Sequence, residues 1–187
     1  MRRKDREMDR AFALEIIDEA AYGVMALAKD DLPYGLPLSL VRDGDRLLFH
    51  TARAGHKLEW VTDGAAAWVV FVSRVRVPEL FEESQLDAML ADPEQTGQLV
   101  SSVFTTEFAS AMVGGTITEV SDDSEKKRAL ERICQKYTPD KMKYFEAAAA
   151  SGMALTRVFA LSMEQVSAKR KKYDQAGQEM KFGRRDE

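Results

Sequence analysis

Leu36-Pro37-Leu38-Ser39-Leu40-Val41-Arg42-Asp43-Gly44-Asp45-Arg46-Leu47-Leu48-Phe49-His50-Thr51 is the stretch that decides the fold class. Two apolar runs flank Arg42-Asp43-Gly44-Asp45, and Asp-Gly between such runs is a strong hairpin signal, because glycine takes a positive φ at no steric cost. Upstream, Val24-Met25-Ala26-Leu27-Ala28 is a third short apolar run, followed by the polar turn Lys29-Asp30-Asp31. Three strands joined by tight turns predict an antiparallel meander. Ahead of them, Asp9–Ala21 predicts a helix that Asp9 can cap and in which Phe12, Ile16, Ile17 and Ala20 recur at helical spacing.

Downstream, Ala54–Asp63 predicts a short helix with Leu58 and Val61 on one face. Ala66–Val75, dense in Val, Phe and Trp, predicts a strand. Pro78–Pro93 fits a helix through Leu80, Phe81, Leu86, Met89 and Leu90, and Leu99–Phe108 with Ala111–Val120 predicts a pair of strands. Ser121–Tyr137 is the clearest helix: Asp122 or Asp123 caps it, and Leu130, Ile133 and Cys134 line its apolar side. Pro139 opens another helix that Gly152 ends, and Leu155–Met163 returns as a strand. From Lys169 the chain is polar and basic and reads as a frayed tail, so the domain is drawn at 1–168 and the tail at 169–187. A strand that returns after helices must pair with strands already made. Six or seven antiparallel strands can close into a barrel, which removes exposed edges. The class is therefore α+β, mainly β, an antiparallel six- to seven-stranded barrel with flanking helices.

The chain has 187 residues, 45% of them hydrophobic and 31% charged, which suits one globular domain and argues against wholesale disorder. Its 27 basic and 31 acidic residues leave a net charge of −4, which gives no general reason to bind nucleic acid or an anionic membrane. One cysteine, Cys134, excludes an intrachain disulfide framework and a multi-cysteine zinc site, and two histidines leave little for a metal centre. No apolar core follows the charged opening Met1–Glu7, and the longest apolar run, Ala65–Val72, is far short of the ~20 residues that span a bilayer. A cytoplasmic protein with no metal is the expectation.

Leu48-Phe49-His50-Thr51-Ala52-Arg53-Ala54-Gly55-His56-Lys57-Leu58 carries the chemistry. It sets a hydroxyl, small residues, a glycine and a lysine between a strand end and a helix start. Backbone N–H groups at a helix start favour an anion, Lys57 supplies a point charge, Arg53 a planar fork, and Ala52, Ala54 and Gly55 let the backbone approach a phosphate. Read alone, the same stretch is an ordinary capped strand–turn–helix.

The chain resembles the pyridoxamine 5'-phosphate oxidase-like superfamily of flavin-binding split β-barrels, and within it the nitroimidazole-resistance-type branch. The resemblance runs over about residues 1–170. It rests on Met1–Glu7, Ile16–Ala20, Tyr22–Leu27, Pro33–Ser39, Leu48–Ala52 with Gly55 and Lys57, Ser102-Val103 ahead of Gly114, Lys136-Tyr137 and Arg157–Leu161. It implies FMN bound at a homodimer interface: Thr51, Ala52 and Lys57 on the phosphate, Pro37, Leu38 and Ser39 along the isoalloxazine edge, and Ser102 and Val103 nearby, from the neighbouring subunit. His50 lies beside these positions, where it can contact cofactor or substrate, and is the candidate catalytic residue. Two departures stand out. Pro78–Gln98 is longer and more helix-like than the family's usual connection, as a lid or altered pocket wall would be. The Arg-x-His pair that authentic oxidases carry near the C-terminus is absent, which disfavours pyridoxamine phosphate as substrate.

The expected function is thus an FMN-dependent oxidoreductase acting on small organic molecules, nitroaromatics among them. The alternative is a non-catalytic flavin- or heme-binding module for sensing or storage. Simpler roles stand beside these: His50 and His56 as structural or solvated residues, Trp60 and Trp68 as core or interface, Cys134 as an inert thiol, and Lys169–Lys172 as a solvated tail with no specific nucleic acid.

Overall fold

The computed structural model describes residues 2–185. Nine strands form one antiparallel sheet system: β1 (Glu7–Met8), β2 (Gly23–Lys29), β3 (Leu32–Leu38), β4 (Val41–Asp43), β5 (Arg46–Ala52), β6 (Ala66–Arg76), β7 (Glu107–Glu119), β8 (Thr156–Ser162) and β9 (Gln165–Lys171). The main path runs β3-β2-β6-β7-β8-β5-β4, and β9 pairs both β7 and β1. β3 and β4 end this path without pairing, so the sheet curls but stays open: a split barrel, with nine strands where six or seven were expected.

The helices are α1 (Arg10–Glu19), α2 (Glu83–Ala91), α3 (Thr96–Gln98), α4 (Asp123–Tyr137) and α5 (Phe145–Gly152). Asp9 caps α1, its carboxylate accepting from Phe12 N at 2.7 Å, and Asp122 caps α4 by accepting from Glu125 N at 2.8 Å. α1 plugs the barrel with Phe12, Ala13, Ile16 and Ile17, against Met25, Phe49, Phe71, Val113 and Phe159 from the strands. α4 packs outside, where Ala129 meets Leu48, Val120, Val158 and Ala160. Among the described residues no helix is long and apolar enough to cross a membrane.

Several expectations are corrected. The meander is broken, because Ser39-Leu40 leaves the sheet and sends β3 and β4 to opposite ends of the path. The first turn is as expected: Asp30 and Asp31 take φ of 49° and 62°, the twist that suits a two-residue hairpin. The helix expected over Ala54–Asp63 shrinks to a single 3₁₀ turn, His56–Glu59. Leu99–Thr106 is not a strand, and only Glu107 and Phe108 of the expected strand join β7. Leu99–Val103 winds as a π-helical turn after α3, and Val100 and Phe104 are exposed, so this stretch finds no partner strand. One long β7 replaces the expected pair.

The tail reading is also corrected. Gln165–Lys171 is β9, fully paired to β7 from Phe108↔Lys171 to Gly114↔Gln165, so a boundary at 168 falls inside a strand. Beyond it Tyr173 and Met180 are buried, and Phe182 N donates to Asp5 O at 2.7 Å. Lys and Arg stems cover apolar surface while their heads find polar partners, which is how a basic run enters a sheet.

Candidate functional site

β5 delivers the stretch singled out for phosphate binding. The pleat turns Thr51 inward, where it is 3% exposed, and leaves His50 and Ala52 exposed on the opposite face. Thr51 Oγ1 donates to the Ala52 carbonyl at 2.9 Å, so its hydroxyl is already engaged. Gly55 then adopts φ 117°, a conformation that side-chain-bearing residues avoid, and the chain reverses into the 3₁₀ turn that holds Lys57. One such turn has little macrodipole, so any anion here is held by Lys57 and backbone groups more than by a helix end. Lys57 is half-buried, and the nearest acidic residue along the turn, Glu59, is engaged by His56 at 3.2 Å. The protein atoms crowded around His50, and then the Lys57 charge, push the imidazole below its ordinary pKa.

An aromatic group ties this turn to β3. The Tyr34 ring stacks on Trp60 with centroids 5.2 Å apart, and its edge meets His56 at 5.5 Å. Trp60 Nε1 lies 3.4 Å from His56 Nε2 as donor, and Lys29 Nζ reaches the Glu59 carbonyl at 3.3 Å. Tyr34 stands three residues before Pro37 on the same strand. The stack therefore fixes the strand bearing Pro37 and Leu38 against the Lys57 turn, although the two are far apart along the sheet path. The sequence reading took Trp60 for core or interface and missed this pairing. No local signal shows that residues 34 and 60 meet.

Pro37 and Ser39 are exposed, and Leu38 packs partly into the core. The next residue, Leu40, is fully buried and clamped from α4. Leu40 N donates to Tyr137 Oη at 2.9 Å, Tyr137 Oη donates to the Leu40 carbonyl at 2.8 Å, and Lys136 Nζ reaches that carbonyl at 3.0 Å. Burial lowers the Lys136 pKa, with Asp18 opposing, and burial raises the Tyr137 pKa, which keeps its hydroxyl a donor.

Ser102 and Val103 lie elsewhere. Lys171 Nζ at 3.2 Å and Tyr173 Oη at 2.7 Å hold the Ser101 carbonyl, at the end of the sheet where β7 begins. Thr51 pairs with Arg157, beyond the point where Glu119, the last residue of β7, meets Phe159. The 13 residues of β7 span ~40 Å at 3.3 Å each, so one chain does not bring Ser102 and Val103 to Thr51.

A family model described as pyridoxamine 5'-phosphate oxidase matches residues 9–170. The chain belongs to that family. No curated protein matches it in sequence. Among solved structures it is similar to the FAD- and heme-binding protein from Mycobacterium smegmatis, at 20% identity and TM-score 0.69, over 89% of this chain and 73% of that one. It is similar to the flavocytochrome Anf3 from Azotobacter vinelandii, at 16% identity and TM-score 0.66, over 96% and 79% of the two chains. It is also similar to a candidate 5-nitroimidazole antibiotic resistance protein from Bacteroides thetaiotaomicron, at 18% identity and TM-score 0.61, over 87% and 84%. At these identities the likeness is one of fold, and it agrees with the split barrel described above.

Proposed function

We propose that the protein binds FMN between two copies of the chain and uses it to reduce a small organic molecule, with nitroaromatics as one candidate class. The observation that carries this reading is the Tyr34–Trp60 stack, which ties the strand bearing Pro37 and Leu38 to the end of the Lys57 turn. The residues fit the group. Lys57 meets the phosphate as a half-exposed cation whose neighbour Glu59 is already engaged, and Ala52, Ala54 and Gly55 leave the backbone open to it. Backbone groups of Pro37, Leu38 and Ser39 line the ring edge, and His50 offers a neutral imidazole beside the phosphate. Thr51 shapes this corner from within the barrel. Ser102 and Val103 of a second copy complete the site. A bound flavin supplies the hydride or electron transfer, and the chain orients and shields it. Membership of the family, together with an FAD-binding protein and a flavocytochrome among the similar structures, supports a flavin here, and a cytoplasmic location goes with the reading.

The test is the visible spectrum of the purified protein, followed by identification of the molecule released on denaturation. A flavin spectrum and FMN are expected, and a Soret band would favour the heme-binding module instead. Lys57→Ala should weaken FMN binding by about 10–100-fold, the size of a charge-assisted phosphate contact, and Thr51→Ala should add less because its hydroxyl is spent on Ala52. Unchanged FMN affinity in the double variant overturns the site. A bound flavin that nicotinamide donors cannot reduce and nitroaromatics cannot reoxidise favours storage or sensing over catalysis.

A further inference from the structure

A second site lies at the other end of the sheet. The ends of β6, β7 and β9 enclose a cleft of about 490 Å³ whose charged lining includes Arg74, Arg76, Arg170 and Lys171 against two carboxylates, Glu107 and Asp174. Both carboxylates are already spent. Glu107, 3% exposed, pairs with Arg76 and accepts from Tyr173 N at 2.7 Å. Burial works to raise the Glu107 pKa, and these bonds outweigh it, so the group is held below its ordinary range and charged. Asp174 binds Arg184 at 2.8 Å and accepts from Ala176 N and Gln178 N.

Arg170 is the anomaly. It is 5% exposed, and among the described residues its Nε is the buried side-chain polar atom with no hydrogen-bond partner. Among the described residues its Nη2 reaches neutral acceptors, Met180 Sδ at 3.9 Å and the Arg184 carbonyl. Its guanidinium lies 5.7 Å from the Phe12 ring centroid, with those of Arg74 and Arg185 at 5.6 and 5.2 Å. The nearby acids on and before α1 are engaged by the other two: Arg74 takes Glu15 and Glu19, and Arg185 takes Asp9. Burial, then the Arg185 and Arg74 charges, push the Arg170 pKa down, and Glu15 opposes this. Lys171 leaves on the opposite face of β9, where its Nζ meets the Ser101 carbonyl and Thr105 Oγ1. A buried charge surrounded by like charges needs a counter-ion.

We propose that this cleft binds a small organic anion, a carboxylate or a phosphate monoester, with Arg170 as its counter-charge. The planar guanidinium edge matches either anion, and the volume suits a molecule of metabolite size. The inference does not depend on flavin.

The experiment is titration calorimetry of the full chain with inorganic phosphate and, separately, with benzoate, at constant ionic strength set with chloride, with and without added FMN. Saturable binding is expected for at least one probe in both states of the protein. Arg170→Met should weaken it by about tenfold or more, and its melting temperature without anion should equal or exceed that of the parent, because a thioether of similar volume removes an uncompensated charge. Arg170→Lys, which keeps the charge and loses the fork, should fall between. Heats no different from chloride, or anion binding unchanged in Arg170→Met, overturn the proposal. Should Arg170→Met fail to fold, unchanged binding in Arg170→Lys overturns it equally.

Discussion

Gly115 is where the two halves of the split barrel meet. There β7 stops pairing with β9, whose last partner is Gly114, and begins pairing with β8 at Ile117. A Cβ on Gly115 would stand 1.8 Å from the Ser162 carbonyl oxygen, a backbone atom that cannot turn aside. A Cβ on Gly114 would meet the Trp68 ring at 2.9 Å, and a side chain can move. Gly115→Ala should therefore cost more than ~4 kcal/mol in denaturant unfolding, and Gly114→Ala ~1–2 kcal/mol. The reverse order would contradict this account of the junction. The sequence shows only Gly114-Gly115 in an apolar run, and the difference between them comes from register, which a single chain does not reveal. The candidate site was legible to the same degree. Thr51, Gly55 and Lys57 were readable because strand end, turn and charge are local features. The Tyr34–Trp60 stack and the lone guanidinium of Arg170 were not, because each depends on partners distant in sequence.

Among the elements, α4 reaches far along the chain, since its last turn fixes a loop 97 residues earlier. Tyr137 Oη makes two hydrogen bonds to Leu40, the fully buried residue at which the chain leaves β3 for β4. Tyr137→Phe keeps the ring and strands the Leu40 N–H, a loss of ~1–3 kcal/mol, and for a domain of this size each kcal/mol lowers the melting temperature by ~2–4 °C. Because Pro37–Ser39 adjoins Leu40, FMN affinity should fall with it. A melting temperature unchanged in Tyr137→Phe would mean that the clamp holds nothing. α1, α4 and the β4–β5 hairpin were readable because cap, periodicity and turn residues agree. β9 was hidden in a basic run, since charged residues enter a sheet when neighbours satisfy their heads. Leu99–Val103 misled in the opposite sense: its composition suits a strand, yet a strand needs a free edge, and β7's edges are taken by β6, β9 and β8.

At the scale of the whole molecule, two features bear on the proposed dimer. One chain's candidate flavin residues lie at opposite ends of β7, and the outward face of β2, β6 and β7 is apolar. Val24, Trp68, Val72 and Met112 are each 40% exposed or more. Val24 faces Val70 and Val70 faces Met112 across adjacent strands, so these side chains form a continuous patch of the kind that marks an interaction surface. In the proposed dimer, a second copy packed there by two-fold symmetry would cover both patches at once and bring Ser102 and Val103 of one subunit toward Lys57 of the other. Dimerisation and flavin binding should then be linked, each stabilising the other by mass action. Met112→Lys puts a charge at the centre of the patch without touching the core, so it should yield a folded monomer by light scattering, with FMN affinity reduced in proportion to the dimer lost. Dilution of the parent protein should release flavin over the concentration range in which the dimer dissociates. A parent protein that is monomeric while holding one FMN per chain would refute the shared site, and a dimer that survives both Met112→Lys and Val72→Asp would place the interface on another face.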